Sequence, residues 1–285
     1  MTRHNVAMRI TTLTATIGAA AVCATLSAAH AVAAPFPVAT DVPAAIAAGY
    51  LQSAQNSPPG SNRWHCRHTD RDPVILLHGT AMNQAANLGY LAPTLANAGF
   101  CVFSLTYGQT SWSGNTGGVG NKDRSARQVA AFLDRVLAVT GAQKADFVGH
   151  SQGGSIAQLV AQLRTPRVGT IVGVSSPSRG TSRIGAITDR LPARAPGQNY
   201  WGPRQPGVAY VNLATRFDEV STPYPVTLMP PAANVTNIVV QDVCPQSRVG
   251  HLGMAFSPTV GALVRNALDP ARRTRVPCGG AEFGQ

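Results

Sequence analysis

The sequence predicts an α/β fold built on a mostly parallel sheet of about six strands, with helices on both faces. Short apolar runs recur without alternation between apolar and polar residues, which is typical of strands buried on both faces. Helical patterns lie between several of these runs, and alternating strands and helices give a parallel sheet. The predicted strands are residues 73–77, 100–106, 145–148, 168–174, 208–213 and 235–240. The predicted helices are residues 83–98, 123–139, 152–163 and 252–268.

Length and composition predict a single domain at residues 34–285. The chain has 285 residues, of which 44% are hydrophobic. This is enough apolar material for a buried core, and it excludes a wholly disordered chain. Residues 35–65 are rich in Ala, Pro, Ser and Asn, and they are predicted to form an entry segment with one short helix.

The first residues are typical of an export signal. Two arginines lead into an uncharged, Ala- and Thr-rich run over residues 10–29, which is followed by overlapping small-x-small sites. We therefore predict a secretory signal peptide at residues 1–33, cleaved near Ala31 to Ala33, and a secreted mature protein. The alternative is an uncleaved membrane anchor, since about 20 residues can span a bilayer.

The charge balance of the chain is basic, with 23 Lys and Arg against 12 Asp and Glu. Cleavage would remove two of the basic residues and none of the acidic ones, which leaves a net charge of +9. Eight arginines lie between Arg164 and Arg216 and would favour transient contact with an anionic lipid interface. No nucleic-acid-binding module surrounds them, so nucleic acid is not an expected partner.

Four cysteines would remain in the mature chain. They are Cys66, Cys101, Cys244 and Cys278. In an oxidising compartment this number suggests two disulfides, for which three pairings exist. Sequential pairing is favoured because Cys66 lies just ahead of one predicted strand and Cys101 opens the next, while Cys244 follows the last strand and Cys278 lies in the tail. No CxxC or HxxxH spacing occurs, so no metal site is predicted.

Two long segments interrupt the alternation of strands and helices. Residues 108–121 are rich in Gly and Ser, and residues 176–206 contain Tyr200, Trp201 and several prolines and glycines. Long loops in a compact domain are commonly functional, so residues 176–206 are a candidate lid or pocket wall. The alternative is a surface insertion without a role.

The most informative motif is Gly149-His150-Ser151-Gln152-Gly153, a G-x-S-x-G pattern between an apolar run and a helical pattern. In this context the serine occupies a strained turn from strand to helix, whose flanks tolerate no side chains. The hydroxyl is then exposed at the carboxyl edge of the sheet. The motif predicts Ser151 as a nucleophile.

A serine hydroxyl needs a base to remove its proton, and in this arrangement the chain order is Ser, acid, His. Of the seven histidines only His251 lies beyond Ser151, so His251 is the predicted base. The alternative is a histidine of a surface loop.

Four acidic residues lie between the predicted nucleophile and base. They are Asp189, Asp218, Glu219 and Asp242. Asp218 and Glu219 directly follow a predicted buried strand, as an orienting carboxylate should. Asp218 is the predicted acid, and Glu219 is the alternative.

A tetrahedral intermediate also needs backbone N–H donors. The usual donors are the residue after the nucleophile and a residue in the loop after an early strand, here Gln152 and Thr80. The N–H of Gln152 also lies at a predicted helix N-terminus, where the helix dipole favours negative charge.

Four strings of the sequence resemble secreted actinobacterial lipases of the class 2 group, over nearly all of the mature chain. The strings are PVILLHGT, VGHSQGG, LATRFDEVSTP and GHLG. The segments around Asp218, Cys244 and His251 are more faintly similar to fungal lipase B. One difference is that many relatives carry an acidic residue just before the histidine, whereas Arg248-Val249-Gly250 precede it here.

The resemblance implies an α/β-hydrolase catalytic domain that cleaves carboxylic esters without a metal or organic cofactor. The implied site is Ser151, Asp218 and His251, with the N–H groups of Thr80 and Gln152. The implied disulfides are Cys66–Cys101 and Cys244–Cys278, the second of which would brace the loop of the histidine.

The expected function is that of a secreted, monomeric triacylglycerol lipase that acts on lipid or small-molecule esters through an acyl-serine intermediate. The alternatives are a short-chain carboxylesterase or polyesterase, and a secreted acyltransferase that acts on envelope lipids. A non-catalytic binding protein with the same fold is a further alternative, which the complete Ser, acid, His order disfavours.

Overall fold

The computed structural model describes residue 1 and residues 34–67, 70–178 and 203–279. The chain divides into two compact units, Met1–Ala34 and Pro35–Gln285, and the second contains every strand and helix given below. The expected signal peptide and residues 179–202 of the candidate lid lie outside the described residues.

Six strands form one sheet, in which each strand is parallel to its neighbours. The strands are β1 (Val74–Leu77), β2 (Val102–Ser104), β3 (Ala145–His150), β4 (Val168–Val174), β5 (Ala209–Ala214) and β6 (Val235–Val239). Their order across the sheet is β2-β1-β3-β4-β5-β6. The predicted fold is confirmed, and this sheet is wholly parallel rather than mostly so.

Helices cover both faces of the sheet. The α-helices of the described residues are α1 (Val42–Leu51), α2 (Gln84–Leu88), α3 (Leu91–Asn97), α4 (Lys122–Thr140), α5 (Gln152–Leu163), α6 (Val240–Val243) and α7 (Pro258–Leu268). Short 3₁₀ turns are found at Thr165–Arg167, Tyr224–Thr227, Gly253–Ala255 and Pro270–Arg272. In this part of the chain no helix combines the length and the apolar character needed to cross a membrane.

Two helices differ from the sequence prediction. Residues 83–98 form α2 and α3 rather than one helix, with a break at Gly89, because glycine has a weak helix preference. The helix predicted over residues 252–268 begins only at Pro258. Proline lacks an N–H group and suits the first helical turn, and the hydroxyl of Ser257 caps that turn.

The core has two halves, one on each face of the sheet. Successive side chains of a strand point to opposite faces, so Ile75 and Leu77 belong to one half and Val74 and Leu76 to the other. The first half is completed by buried residues of α4 and α5, and the second by buried residues of α3 and α7. Each fully buried aliphatic side chain contributes about 1.5–3 kcal/mol, so the four residues of β1 anchor the sheet between both layers.

Two disulfides crosslink the domain. Cys66 and Cys101 are bonded with their Cα atoms 5.9 Å apart, and Cys244 and Cys278 are bonded with their Cα atoms 5.3 Å apart. These are the pairs that the resemblance implies. The second bridge joins the end of α6 to the C-terminal segment, so it spans the loop that contains His251.

Candidate active site

The three side chains that the sequence predicts to act together are carried by the carboxyl edge of the sheet. Ser151 follows β3, Asp218 lies just beyond β5, and His251 lies in the loop between α6 and α7. Parallel strands place their carboxyl ends at one edge, where ligands of such folds commonly bind. A parallel bridge between Phe217 and Gly250 brings the last two loops together.

Ser151 occupies a strained turn between β3 and α5. Its φ is 50° and its ψ is −122°, a backbone conformation that is costly for a residue with a side chain. A Cβ atom on Gly149 would lie 2.1 Å from the nitrogen of Gly154, and one on Gly153 would lie 2.4 Å from the carbonyl oxygen of Leu77. Both positions therefore require glycine, as the motif predicts.

The imidazole of His251 is bonded to the carboxylate of Asp218. Its Nδ1 lies 2.9 Å from Oδ1 and 3.1 Å from Oδ2 of this buried residue. An ionised carboxylate only accepts hydrogen bonds, so we assign the proton of the neutral imidazole to Nδ1. This assignment leaves Nε2 free of a proton and able to accept one.

The carboxylate of Asp218 is held in its ionised form. Burial alone would raise the pKa of Asp218, but the hydrogen bond and charge of His251 and the N–H of Ser221 lower it below its usual value. The N–H groups of Val220 and Ser221 donate to Oδ1 at 3.0 and 2.6 Å. Asp218 is therefore available as a negative partner for a protonated imidazole.

Glu219, the alternative acid, contacts the main chain of His251 and not its ring. Its Oε2 accepts the N–H of His251 at 2.8 Å. A Cβ atom on Gly250 would lie 2.8 Å from this same oxygen, so glycine allows the close approach. A carboxylate thus stands beside His251 although the sequence has Arg248-Val249-Gly250 before it.

The remaining acids between residues 151 and 251 do not reach the ring. Asp242 forms an exposed ion pair with Arg216. Asp189 lies outside the described residues.

The turn after β1 is fixed by side-chain contacts that the sequence did not predict. Gln152 Nε2 donates to Thr80 Oγ1 at 2.9 Å and to the carbonyl oxygen of Gly118 at 3.1 Å. His78 Nδ1 lies 2.8 Å from the carbonyl oxygen of Gly79, and the N–H of Tyr107 lies 3.2 Å from Nε2. Burial lowers the pKa of His78 to about 4, so its ring is neutral, with Nδ1 as donor and Nε2 as acceptor.

Three of the predicted site residues, Thr80, Ser151 and His251, line one cavity of about 310 Å³. Its walls are Gly79, Thr80, Ala81, Met82, His150, Ser151, Glu219, Val220, His251 and Leu252. The lining combines the polar side chains of Ser151 and His251 with apolar side chains, as in sites that bind small molecules. A second cavity, of about 430 Å³, lies at α4 around Asp134 and Arg167 and contains none of the predicted residues.

No metal ligands are grouped in the part of the chain that the structure describes. Over residues 34–67, 70–178 and 203–279, no three His, Cys, Asp or Glu side chains are arranged to hold a metal ion.

Comparison with known families gives the class of protein. The model of the alpha/beta hydrolase fold family matches residues 72–219, just over half of the chain. The chain therefore belongs to the alpha/beta hydrolase fold family.

The chain is also similar to triacylglycerol lipases. It is 29% identical over 155 residues to that of Burkholderia plantarii, which covers 53% of this chain and 41% of the relative. It is 30% identical over 126 residues to that of Pseudarthrobacter phenanthrenivorans, which covers 42% of this chain and 38% of the relative. The matches therefore span about two fifths of the length of these lipases.

Solved structures share the fold at low sequence identity. A hydrolase of 2-hydroxy-6-oxo-6-phenylhexa-2,4-dienoate from a Rhodococcus strain superposes with a TM-score of 0.51 and 13% identity, covering 70% of this chain and 91% of that one. A gene product of Listeria innocua gives a TM-score of 0.50 and 16% identity, covering 73% of this chain and 97% of that one.

The close approach at Gly153 generates a prediction about stability. Gly153→Ala should lower the free energy of unfolding by about 1–3 kcal/mol, because the added methyl group overlaps the main chain of β1. The matched control is Gly89→Ala, where the backbone is helical and the nearest atoms lie at an ordinary 3.6 Å, so the free energy of unfolding should stay the same or rise by up to about 1 kcal/mol. Urea unfolding of both variants measures the difference. Equal stabilities would contradict the described turn.

Proposed function

We propose that the protein is a secreted carboxylic-ester hydrolase, and specifically a triacylglycerol lipase, that works through an acyl-serine intermediate. The observation that carries the proposal is the bond between Asp218 and His251, combined with a cavity that both Ser151 and His251 line. The similarity to triacylglycerol lipases and the resemblance to secreted actinobacterial class 2 lipases and fungal lipase B support the ester substrate.

In the first half of the reaction Ser151 is acylated. Its Oγ attacks the ester carbonyl while Nε2 of His251 takes the hydroxyl proton, and Asp218 stabilises the imidazolium that forms. The N–H groups of Thr80 and Gln152 donate to the oxyanion of the tetrahedral intermediate. The intermediate expels the alcohol, which receives the proton from His251.

In the second half water releases the acid. His251 removes a proton from a water molecule, and the resulting hydroxide attacks the acyl carbonyl. The same N–H groups hold the second oxyanion. Its collapse breaks the bond to Ser151, whose oxygen takes the proton back from His251, and frees the carboxylic acid, so no metal or organic cofactor enters the scheme.

Apolar side chains favour an acyl group as the occupant of the cavity. Ala81, Met82, Val220 and Leu252 all belong to its lining. They offer the hydrocarbon of an acyl chain a surface away from water, which is favourable at about 0.8 kcal/mol per buried CH₂ group. Transient contact with a lipid interface belongs to the same proposal.

Secretion is supported by the cysteines and by the first residues of the sequence. Two disulfides bridge the domain, and disulfides persist mainly in oxidising compartments. The export signal at residues 1–33 would deliver the chain to such a compartment, where we propose that it acts as a monomer.

The nucleophile is tested by replacing its hydroxyl. Ser151→Ala should abolish hydrolysis of p-nitrophenyl butyrate and labelling by a fluorophosphonate probe, with the thermal midpoint preserved. Ser111→Ala, at an exposed serine, is the control and should behave as the wild type. Substantial turnover by Ser151→Ala would exclude the assignment.

The acid is tested by two neutral replacements. Asp218→Asn should lower kcat about 10⁴-fold, because the amide favours the wrong tautomer of His251. Glu219→Gln keeps an acceptor for the N–H of His251, and loss of its exposed charge costs at most about 1 kcal/mol, or about fivefold in rate. Steady-state kinetics compare the two, and a larger loss in Glu219→Gln would reverse the assignment.

The acyl preference is tested with p-nitrophenyl esters of two to sixteen carbons. A lipase should show its highest kcat/KM with the longer chains. The second candidate is a short-chain esterase, which is favoured by the described cavity of about 310 Å³, at the lower end of ligand-site volumes. An optimum at two to four carbons would replace lipase by esterase.

A further inference from the structure

His150 lies in the cavity beside the proposed nucleophile, and the reaction scheme leaves it without a role. The side chain is 2% exposed. Its Nε2 lies 2.9 Å from the carbonyl oxygen of His251, and its Nδ1 lies 3.0 Å from Oδ1 of Asn87. The centre of its ring is 5.0 Å from that of His251.

Asn87 extends this contact to the turn after β1. Its Oδ1 accepts the N–H of Gly79 at 2.8 Å, so Gly79, Asn87, His150 and His251 form one continuous chain of buried contacts. The turn is packed tightly there, since a Cβ atom on Gly79 would lie 3.2 Å from both His150 Nδ1 and Ser151 Cβ. Hydrogen-bond contacts at the two ends, with packing of His150 against Asn87 between them, connect the turn after β1 that carries Thr80 to the proposed base.

The two main-chain groups of residue 251 are both held by side chains. Glu219 accepts the N–H, and His150 faces the carbonyl oxygen. Burial, reinforced by the neighbouring His251, lowers the pKa of His150 to about 3, so its ring is neutral at neutral pH and has one proton to donate. A buried carbonyl group requires a donor, which favours the tautomer with the proton on Nε2. Nδ1 then has no proton, so its 3.0 Å approach to Oδ1 of Asn87 is a packing contact and not a hydrogen bond.

We propose that His150 is a positioning residue, whose Nε2–H donates to the carbonyl oxygen of His251 and fixes the distance between the imidazole of His251 and the turn after β1 that carries Thr80. This inference rests on the proposed function of Ser151 and His251. Reacting groups must be held closely, because a misplacement of 1 Å can lower a rate about 100-fold.

Three substitutions of His150 distinguish the contributions of its two ring nitrogens. The amide nitrogen of Gln reaches the place of Nε2, whereas that of Asn reaches only the place of Nδ1, and Leu keeps neither. His150→Asn and His150→Leu should lower kcat for p-nitrophenyl butyrate about 30- to 100-fold with KM within about threefold. His150→Gln should recover most of the loss and stay within about fivefold of the wild type.

The dependence of kcat/KM on pH distinguishes positioning from an electrostatic role. His150 is neutral, so its replacement by Gln or Asn should leave the midpoint of the acidic limb within about 0.3 pH units of the wild-type midpoint. The plateau value of kcat/KM should fall. A shift of a full unit with an unchanged plateau would overturn the proposal. Rescue by Asn but not by Gln would also overturn it, as would wild-type kcat in a folded Leu variant.

Two controls keep the outcomes distinct. Thermal midpoints and near-ultraviolet circular dichroism identify folded variants, and if the Leu variant does not fold, the Gln and Asn pair still decides the question. A wild-type protein that does not hydrolyse the ester, or a Ser151→Ala variant that does, would defeat the proposed function. Hydrolysis that depends on Ser151 but is unchanged in His150→Asn would defeat only the positioning role.

Discussion

The hydrogen bond between Asp218 and His251 is the interaction on which the rest of the site depends. It joins the loop after β5 to the loop between α6 and α7, and it determines which nitrogen of the imidazole carries the proton. A buried carboxylate is costly unless donors surround it, and the N–H groups of Val220 and Ser221 meet that need. The sheet supplies the rigid edge that keeps both loops at this distance.

Most of the fold followed from apolar patterns because the sheet is buried on both faces. The strand at residues 168–174 and the helix at 152–163 have the predicted bounds. The errors arose where local chemistry competes with periodicity. Gly89 interrupts an apolar pattern that otherwise favours one helix over residues 83–98. α7 begins only at Pro258, although the apolar pattern that predicts it begins earlier.

The candidate site was predictable to the extent that its members follow a fixed order along the chain. Ser151, Asp218 and His251 could be chosen from few candidates, and the structure brings the last two into contact. The supporting contacts could not be predicted. His150 and His251 are 101 residues apart in the chain, and no spacing rule connects a ring nitrogen to a main-chain oxygen at that separation. His150 occupies a variable position of the G-x-S-x-G motif, so the pattern assigns it no role.

The bridge between Cys244 and Cys278 makes the last part of the domain a closed covalent ring. This ring contains His251 and the whole of α7, and the hydroxyl of Thr259 donates to the carbonyl oxygen of Pro277 within it. When α7 partly opens, the loop that contains His251 therefore stays tethered at both ends. Its return to the native position is then a loop closure within one short ring of the chain. Such a tether favours recovery of the native arrangement over aggregation of an exposed tail.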